Sequence, residues 1–329
     1  MAPLEVTICV VTHNCERDVE PFLDSVAALE HRPLEIVVVD SGSRDQTVAR
    51  LEAHRGELAV TIDPVGSNIG YAPAMNRALA QTDAGWILAL NADSRPAPDF
   101  LCRLLERAAA DSRTAAVTGR LLRPAAAGEA PLLDACGMHL TTSWRHHDRG
   151  SGETDGGQYS SAERVFGATG AAVLLRRSAL DDVAIGGDIF ASEFHSFRED
   201  AELAFRLRSR GWEVIYEPAA RCEHRRANLP QRRRQMPEHV NRHSLKNRYL
   251  LRAYHQSFGN LLATLVPTLA RDLGALAYVA ARERSSFAAY RWLWRHRRQI
   301  RERRREIRAR RTVKQSELDR WFTVESQPL

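Results

Sequence analysis

The chain has 329 residues, 44% hydrophobic and 27% charged, the balance of a soluble globular protein with room for one large domain and an appendage. Five scattered cysteines (Cys9, Cys15, Cys102, Cys136, Cys222) include no C-x-x-C pair, which argues against a disulfide framework or structural zinc and for a reducing, cytoplasmic setting. The net charge of +6 is uneven: residues 282–311 carry thirteen arginines against three glutamates, a local +10 that leaves −4 for the rest, so the basic character belongs to a tail.

No basic n-region opens the chain, so no signal peptide is expected. The longest apolar stretch, 258–281, is interrupted by Pro267, Arg271 and Asp272, so no membrane span is expected either. Residues 5–11 predict a first strand. The polar loop Thr12-His13-Asn14-Cys15-Glu16-Arg17 follows, then a helix with Val19, Phe22, Leu23, Val26 and Leu29 on one face. That loop lacks glycine, against the G-x-G-x-x-G of a dinucleotide fold. Residues 35–39 predict the second strand, ended by Asp40, and the loop 40–47 opens the next helix. An acid at a strand end beside a glycine can accept hydrogen bonds from a ribose or a base, or simply cap a turn. A third short strand, 60–62, leads to a turn-rich loop, 66–77, entering a helix whose N-terminus favours anions such as phosphate.

Residues 86–90 form an apolar run suited to a buried parallel strand. It stops at Asn91-Ala92-Asp93, and Pro96 and Pro98 are expected to forbid its continuation. Asp93 then stands at the carboxyl lip of a buried strand, where open α/β sheets bind ligands and a divalent cation would face phosphate oxygens. Turn formation and helix capping are the competing use of Asn91 and Asp93. Three such loops on one lip favour a nucleotide site.

The motifs T-H-N-x-E from Thr12, V-V-V-D-S-G-S-x-D-x-T from Val37, N-x-G-Y-A-x-A-x-N from Asn68 and L-N-A-D-x-x-P from Leu90 follow one another in this order. Together they resemble the family 2 glycosyltransferases. The resemblance implies a GT-A fold: α/β, with a mostly parallel central sheet, flanking helices and here a C-terminal helical extension. It divides the chain into 1–225, with a nucleotide-sugar half to about 120 and an acceptor half beyond, and a basic helical 226–329. It implies inverting, metal-dependent transfer from a nucleotide-diphosphate sugar, UDP- or dTDP-linked. The implied donor site is Thr12, Asn14, Glu16, Asp40, Ser43, Asn68, Gly70, Asn76 and Asn91. Ser41 and Ala92 depart mildly from the family pattern, and Pro73-Ala74 replaces a stretch that usually holds a glycine.

Residues 163–177, with Gly167 and Gly170, resemble the family's acceptor-side segment. Glu199-Asp200 opens a helix with Leu203, Phe205 and Leu207 as core positions and Gly211 past its end. The pair carries over as catalytic, with Asp200 the base; acids favoured by the helix dipole are the structural alternative. His224, expected just past a strand at 214–216, carries over as the ligand that joins Asp93 in holding Mg²⁺ or Mn²⁺. With one carboxylate in the motif, metal affinity leans on the nucleotide's own phosphates. His146-His147, within 144–157, reads as part of a solvated, mobile loop over the acceptor side.

In the tail, Lys246-Asn247-Arg248 resembles a segment of rhamnosyltransferase-like members acting on polyprenyl-diphosphate-linked sugars. That implies rhamnose as the leading donor sugar and a lipid-linked or polysaccharide acceptor in cell-envelope glycan synthesis. Phe287, Tyr290, Trp292 and Trp294 beside the arginines suit peripheral contact with an anionic inner membrane face. Packing back on the domain is the alternative. Residues 313–322 predict a short helix with Leu318, Trp321 and Phe322 on one side. No nucleic-acid motif accompanies the arginines, and no nucleic-acid partner is expected. The competing reading of the whole chain is a catalytically inactive scaffold using its tail on membranes or nucleic acid. The intact Asp40, Asp93 and Glu199-Asp200 set argues against it.

Overall fold

The computed structural model describes residues 5–54, 59–125, 128–226 and 236–329. The chain begins with Val6–Thr12 (β1), Glu16–Ala27 (α1), Glu35–Asp40 (β2), Thr47–Ala53 (α2), Val60–Pro64 (β3), Tyr71–Leu79 (α3) and Trp86–Asn91 (β4). The four strands are parallel, in the spatial order β4-β1-β2-β3. Ile8, Val10, Val38, Leu88 and Leu90 point into one core, and Cys9, Val37, Val39, Ile87 and Ala89 into the other. Burial on both faces is why these strands read as unbroken apolar runs. Register then sets the lip: Thr12 lies beside Asp40 and Val11 beside Asn91, so the polar ends of three strands emerge at one edge.

The next elements are Ser94–Pro96 (β5), Phe100–Ala109 (α4), Thr114–Leu122 (β6), Leu133–Ala135 (β7), Met138–Leu140 (β8), His146–Asp148 (β9) and Glu163–Val165 (β10). Ala172–Arg176 (β11), Arg177–Val183 (α5), Glu199–Ser209 (α6) and Glu213–His224 (β12) follow. β11 runs antiparallel between β4 and β6, and β12 runs parallel to β6. β4 ends at Asn91 as the sequence predicts, but after a turn at 92–93 the chain forms a separate short strand, β5, which runs antiparallel to the end of β12 and ends at Pro96. This is a short peripheral strand, where a proline costs little pairing. β12 is also longer than the predicted 214–216, and His224 is its last residue, opposite Ser94. Pro218 and the charged Glu217, Arg221 and Glu223 conceal its second half, which carries a register irregularity between Glu217 and Arg221.

The segment holding His146-His147 is not a solvated loop. It forms the β8–β9 hairpin, and Trp144 is buried with its ring stacked 5.6 Å from that of Phe205.

The remaining elements are Glu238–His255 (α7), Phe258–Ala263 (α8), Leu265–Arg282 (α9), Phe287–Arg295 (α10), Arg297–Arg310 (α11), Gln315–Asp319 (α12) and Ser326–Pro328 (β13). β13 joins the edge of the main sheet beside β10. Leu250, Leu251, Tyr254, Ile300, Ile307, Trp321 and Phe322 share a core with Met138, Trp144, Phe166 and Phe205, so this part of the tail packs back. Several arginines serve the fold itself: Arg304 donates to the Gln256 carbonyl at 2.6 Å and Arg310 to that of Ala184 at 2.5 Å. Arg232-Arg233-Arg234 lies outside the described residues. The apolar stretch 258–281 is split at Thr264, and Pro267 falls in the first turn of α9, where its missing N–H is no loss. α9 turns Val266, Leu269, Leu273 and Leu276 outward, with Val266 76% exposed. Among the described residues no helix is long and apolar enough to cross a membrane.

Candidate active site

Where the chain leaves β1 and β2, two loops close on each other. Thr12 Oγ1 donates to Asp40 Oδ1 at 2.9 Å, and Ser43 donates to the same carboxylate through its N–H at 2.8 Å and its hydroxyl at 2.5 Å. This side-chain-to-backbone turn fixes the buried Asp40 at the lip. The Asn14 N–H donates to Ser43 Oγ at 2.9 Å, Asn14 Oδ1 accepts from the Arg44 N–H at 2.8 Å, and Glu16 Oε2 accepts from the Gln46 N–H at 3.0 Å. Thr12, Asn14, Asp40 and Ser43 therefore form one hydrogen-bonded cluster, and Glu16 ties the first loop to the second beside it.

The third loop joins through glycines. Gly42 has φ +72°, and a Cβ there would lie 2.5 Å from the Ser67 carbonyl carbon. Asn68 Oδ1 accepts from the Gly70 N–H at 2.9 Å and from the Ser41 hydroxyl at 3.4 Å. Gly70, φ +86°, opens α3, and a Cβ there would strike the His195 ring at 2.5 Å. Asn76 behaves differently. Its amide donates to the Phe190 carbonyl at 2.7 Å and accepts from the Phe190 N–H at 2.8 Å, which makes it a positioning residue for the 190–194 turn. Asn91 ends β4 beside Val11, on the same lip.

At the end of β12, His224 Nε2 lies 3.2 Å from Asp93 Oδ1, and Nδ1 lies 2.7 Å from Asp134 Oδ2. Asp134, fully buried, also pairs with Arg123 at 3.3 Å and with Arg226 at 3.1 Å, and Arg226 reaches on to Asp148. Burial would lower the His224 pKa, but hydrogen bonds and charge from Asp134 and Asp93 outweigh it and raise it to about 9. The donor set fits Mg²⁺ or Mn²⁺: a carboxylate oxygen and an imidazole nitrogen converge, and the other ring nitrogen is anchored by a buried acid, as metal-binding histidines commonly are. Among the described residues no cluster of three or more ligating side chains exists, so further coordination falls to ligand oxygens or water. Asp134 escapes the sequence reading. Its signal is a lone carboxylate inside the apolar run 131–136, which demands a buried partner.

The chain enters α6 through strained backbone, with His195, Phe197 and Arg198 at φ 65°, 72° and 71°. Buried Asn247 on α7 holds this segment: its amide group lies 2.8 Å from each of the Phe194, Ser196 and Phe197 carbonyls. Lys246 reaches the Glu193 carbonyl. Lys246 and Asn247 thus support the segment that leads into the acidic pair. Asp200 accepts from the Ala201 N–H at 2.7 Å and from the Gly170 N–H at 3.5 Å. Burial, with the charge of Asp148, raises the Asp200 pKa to about 6. Glu199 is buried, is held well above the usual carboxylate range by desolvation and by Asp200, and leaves Oε2 without a hydrogen-bond partner among the described residues. Two adjacent carboxyls, both raised and Glu199 well above its ordinary value, make the kind of split pair that acid–base chemistry uses. The Tyr71 hydroxyl donates to the Gly170 carbonyl at 3.3 Å and links α3 to this half.

The family model described as glycosyl transferase family 2 matches residues 7–184, more than half of the chain. The chain belongs to that family. It is 30% identical over 251 residues to N-acetylglucosaminyl-diphospho-decaprenol L-rhamnosyltransferase of Mycobacterium tuberculosis, covering 67% of this chain and 76% of that protein. It is 24% identical over 217 residues to the poly-beta-1,6-N-acetyl-D-glucosamine synthase of Staphylococcus aureus, covering 66% of this chain and 49% of that one. Among solved structures, a mannosyltransferase from Pyrobaculum calidifontis in complex with GDP-mannose and Mn²⁺ superposes with a TM-score of 0.55 at 18% identity, over 93% of this chain and 85% of that one. The fold is GT-A, and this family 2 glycosyltransferase acts on a nucleotide sugar.

The rate of this glycosyltransferase should carry the Asp200 ionisation. A general base works only as carboxylate, so kcat/KM should fall about tenfold per pH unit below about 6. A profile flat from pH 7 to 4.5 would remove Asp200 as the base.

Proposed function

We propose that this glycosyltransferase moves a sugar, rhamnose first among candidates, from a UDP- or dTDP-linked donor to a hydroxyl of a lipid-diphosphate-linked acceptor in cell-envelope glycan synthesis. The observation that carries the reading is the buried Asp200 carboxylate, its pKa raised to about 6, held by the Gly170 N–H in a segment that the Tyr71 hydroxyl joins to the donor loops. Asp200 takes the proton of the acceptor hydroxyl as that oxygen attacks the anomeric carbon. The bond from that carbon to the diphosphate oxygen breaks on the opposite face, so configuration inverts. Asp40, Thr12 and Ser43 bind the nucleoside, with Asn14, Glu16, Asn68, Gly70 and Asn91 shaping its loops. Asp93 and His224 would hold Mg²⁺ or Mn²⁺, which supplies charge neutralisation for the leaving diphosphate.

Residues 1–225 carry the chemistry in this reading, with the donor half to about residue 120 and the acceptor half beyond. Residues 226–329 support the acceptor side and meet the inner face of the membrane. The likeness to a rhamnosyltransferase whose printed name carries a diphospho-decaprenol supports the acceptor class.

The test is thermal unfolding with a panel of nucleoside diphosphates and nucleotide sugars, with and without Mn²⁺. A ligand at a hundredfold excess over Kd stabilises the folded state by about 2.7 kcal/mol. The midpoint should rise with UDP or dTDP only when Mn²⁺ is present, and the rise should vanish in Asp93→Ala. The absence of a shift with every nucleotide would overturn the donor-site reading.

A further inference from the structure

Between the N-terminus of α6, α7 and α9 lies a cavity of about 250 Å³ lined by Arg198, Ser244, Arg248, Arg271, Tyr278 and Val279. Three elements each bring an arginine to it. Arg248 is 6% exposed, pairs with Asp272, and leaves Nε without a hydrogen-bond partner among the described residues. Arg271 donates to the Ser143 carbonyl at 2.8 Å. Asp272, the acid beside them, is already engaged by Arg248 and Arg252. Burial, together with the charges of Arg248, Arg198 and Arg145, pushes Arg271 down to about 8, as expected where several cations share a desolvated place.

The cavity opens at two functional borders. Arg198 immediately precedes the Glu199-Asp200 pair and donates to His146 Nδ1 at 3.0 Å. On α9, Arg271, Ala275, Tyr278 and Val279 line the cavity, whereas Val266, Leu269, Leu273 and Leu276 point outward at 76%, 51%, 57% and 44% exposure. Those spacings of three and four make one apolar stripe on the helix. Phe258 and Leu262 on α8 are exposed as well, at 73% and 59%. An apolar stripe turned toward water beside a cavity lined by three arginines matches an amphiphile with a diphosphate head and a hydrocarbon tail.

We infer that the Arg198–Arg248–Arg271 cavity binds the diphosphate of a lipid-linked acceptor, with the outward stripe of α9 lying on the lipid surface. The inference rests on the acceptor class proposed above. It places the acceptor sugar at Asp200, its diphosphate one step further from the donor, and its lipid along α9.

Calorimetric titration of the full chain with farnesyl diphosphate, in EDTA and without nucleotide, tests it. Wild type should bind. Arg271→Gln should weaken binding by about tenfold or more, the worth of a charge-assisted hydrogen bond. Ala275→Trp, which fills the cavity without removing a charge, should do the same. Leu269→Glu with Leu273→Glu should reduce cosedimentation with phosphatidylcholine vesicles. No wild-type binding, or equal binding by wild type and both cavity variants, overturns the inference. Inorganic diphosphate binding as tightly as farnesyl diphosphate overturns the lipid occupant. Failure of the acceptor reading looks different: farnesyl diphosphate binding is lost in both variants, yet the wild-type enzyme transfers equally well to an alkyl glycoside and to a diphosphate-linked acceptor. That outcome leaves the cavity assignment standing.

Discussion

Asp200→Asn should lower kcat by about a hundredfold to ten-thousandfold and leave nucleotide affinity within about twofold, because a positioned general base contributes on that scale. The amide oxygen can take the place of Oδ1 and keep the 2.7 Å bond from the Ala201 N–H, while the amide nitrogen faces the weaker Gly170 N–H contact at 3.5 Å, so the entry into α6 is largely preserved. What it cannot do is take a proton. The acid limb near pH 6 should disappear with it, since the limb belongs to this carboxylate. Stability should move the other way. A carboxyl whose pKa is raised from 3.8 to about 6 favours the fold fully below 3.8 and loses that contribution as pH rises through about 6, so at neutral pH the buried charge is a cost. The variant should melt at or above the wild-type temperature, which separates a chemical defect from misfolding. Glu199→Gln is the control. Desolvation and the Asp200 charge disfavour the ionised form of Glu199, and the amide keeps its shape, so the swap should cost far less turnover. Normal turnover in Asp200→Asn, or an equal loss in both variants, would sink the assignment.

The donor lip is legible in the sequence because its hydrogen bonds are local to strand ends. Asp40 and Ser43 lie three residues apart, and the Thr12–Asp40 contact follows from placing two parallel strands side by side. The support behind the acceptor half is not legible in this way. His224 meets Asp134 across 90 positions and Asn247 meets Phe194 across 53, with no periodicity to announce either pairing. Composition misleads where a polar segment hides one large anchor. Residues 144–157 are rich in glycine and acids, yet Trp144 packs on Phe205 and Phe322, which carries the β8–β9 hairpin onto the fold. The arginine run has a second use that its charge does not announce. Arg304 and Arg310 cap carbonyls of neighbouring segments while Ile300 and Ile307 face the core. A guanidinium has five N–H donors, and backbone oxygens left over at helix C-termini, as at Ala184 and Gln256, satisfy them as readily as phosphates do.

Glu202→Ala should be among the most destabilising substitutions in the chain, costing roughly 3–5 kcal/mol, because it orphans a buried cation. Glu202 is 0% exposed and Arg206 is 2% exposed; Arg206 Nε lies 2.9 Å from each carboxylate oxygen, and its terminal nitrogens also hold the Val183 and Ile189 carbonyls. His255 from α7 closes on the same carboxylate at 3.3 Å. One acid thus ties the helix that carries Asp200 to the end of α5, to the 189–194 turn that Asn76 pins, and to the tail. Burial alone would raise its pKa. Arg206 and His255 outweigh burial and pull it down to about 2, so its contribution to stability is present above the ordinary carboxylate value of 4.5 and is lost as pH falls through about 2. Acid unfolding of the wild type should steepen over that window, and the variant should lack that component. Its melting temperature near neutrality should fall on the order of 10 °C. Replacing both partners by apolar residues, Glu202→Met with Arg206→Leu, should recover much of the loss, since the penalty comes from the stranded guanidinium more than from the absent pair. A drop under about 1 kcal/mol in Glu202→Ala would mean that water reaches Arg206 and that the pair lies outside the dry interior. A large drop without recovery in the double variant would mean that the pair is needed for geometry: its bonds to Val183 and Ile189, and not the burial of charge, would then be what holds the base helix in register with the turn beneath the donor site.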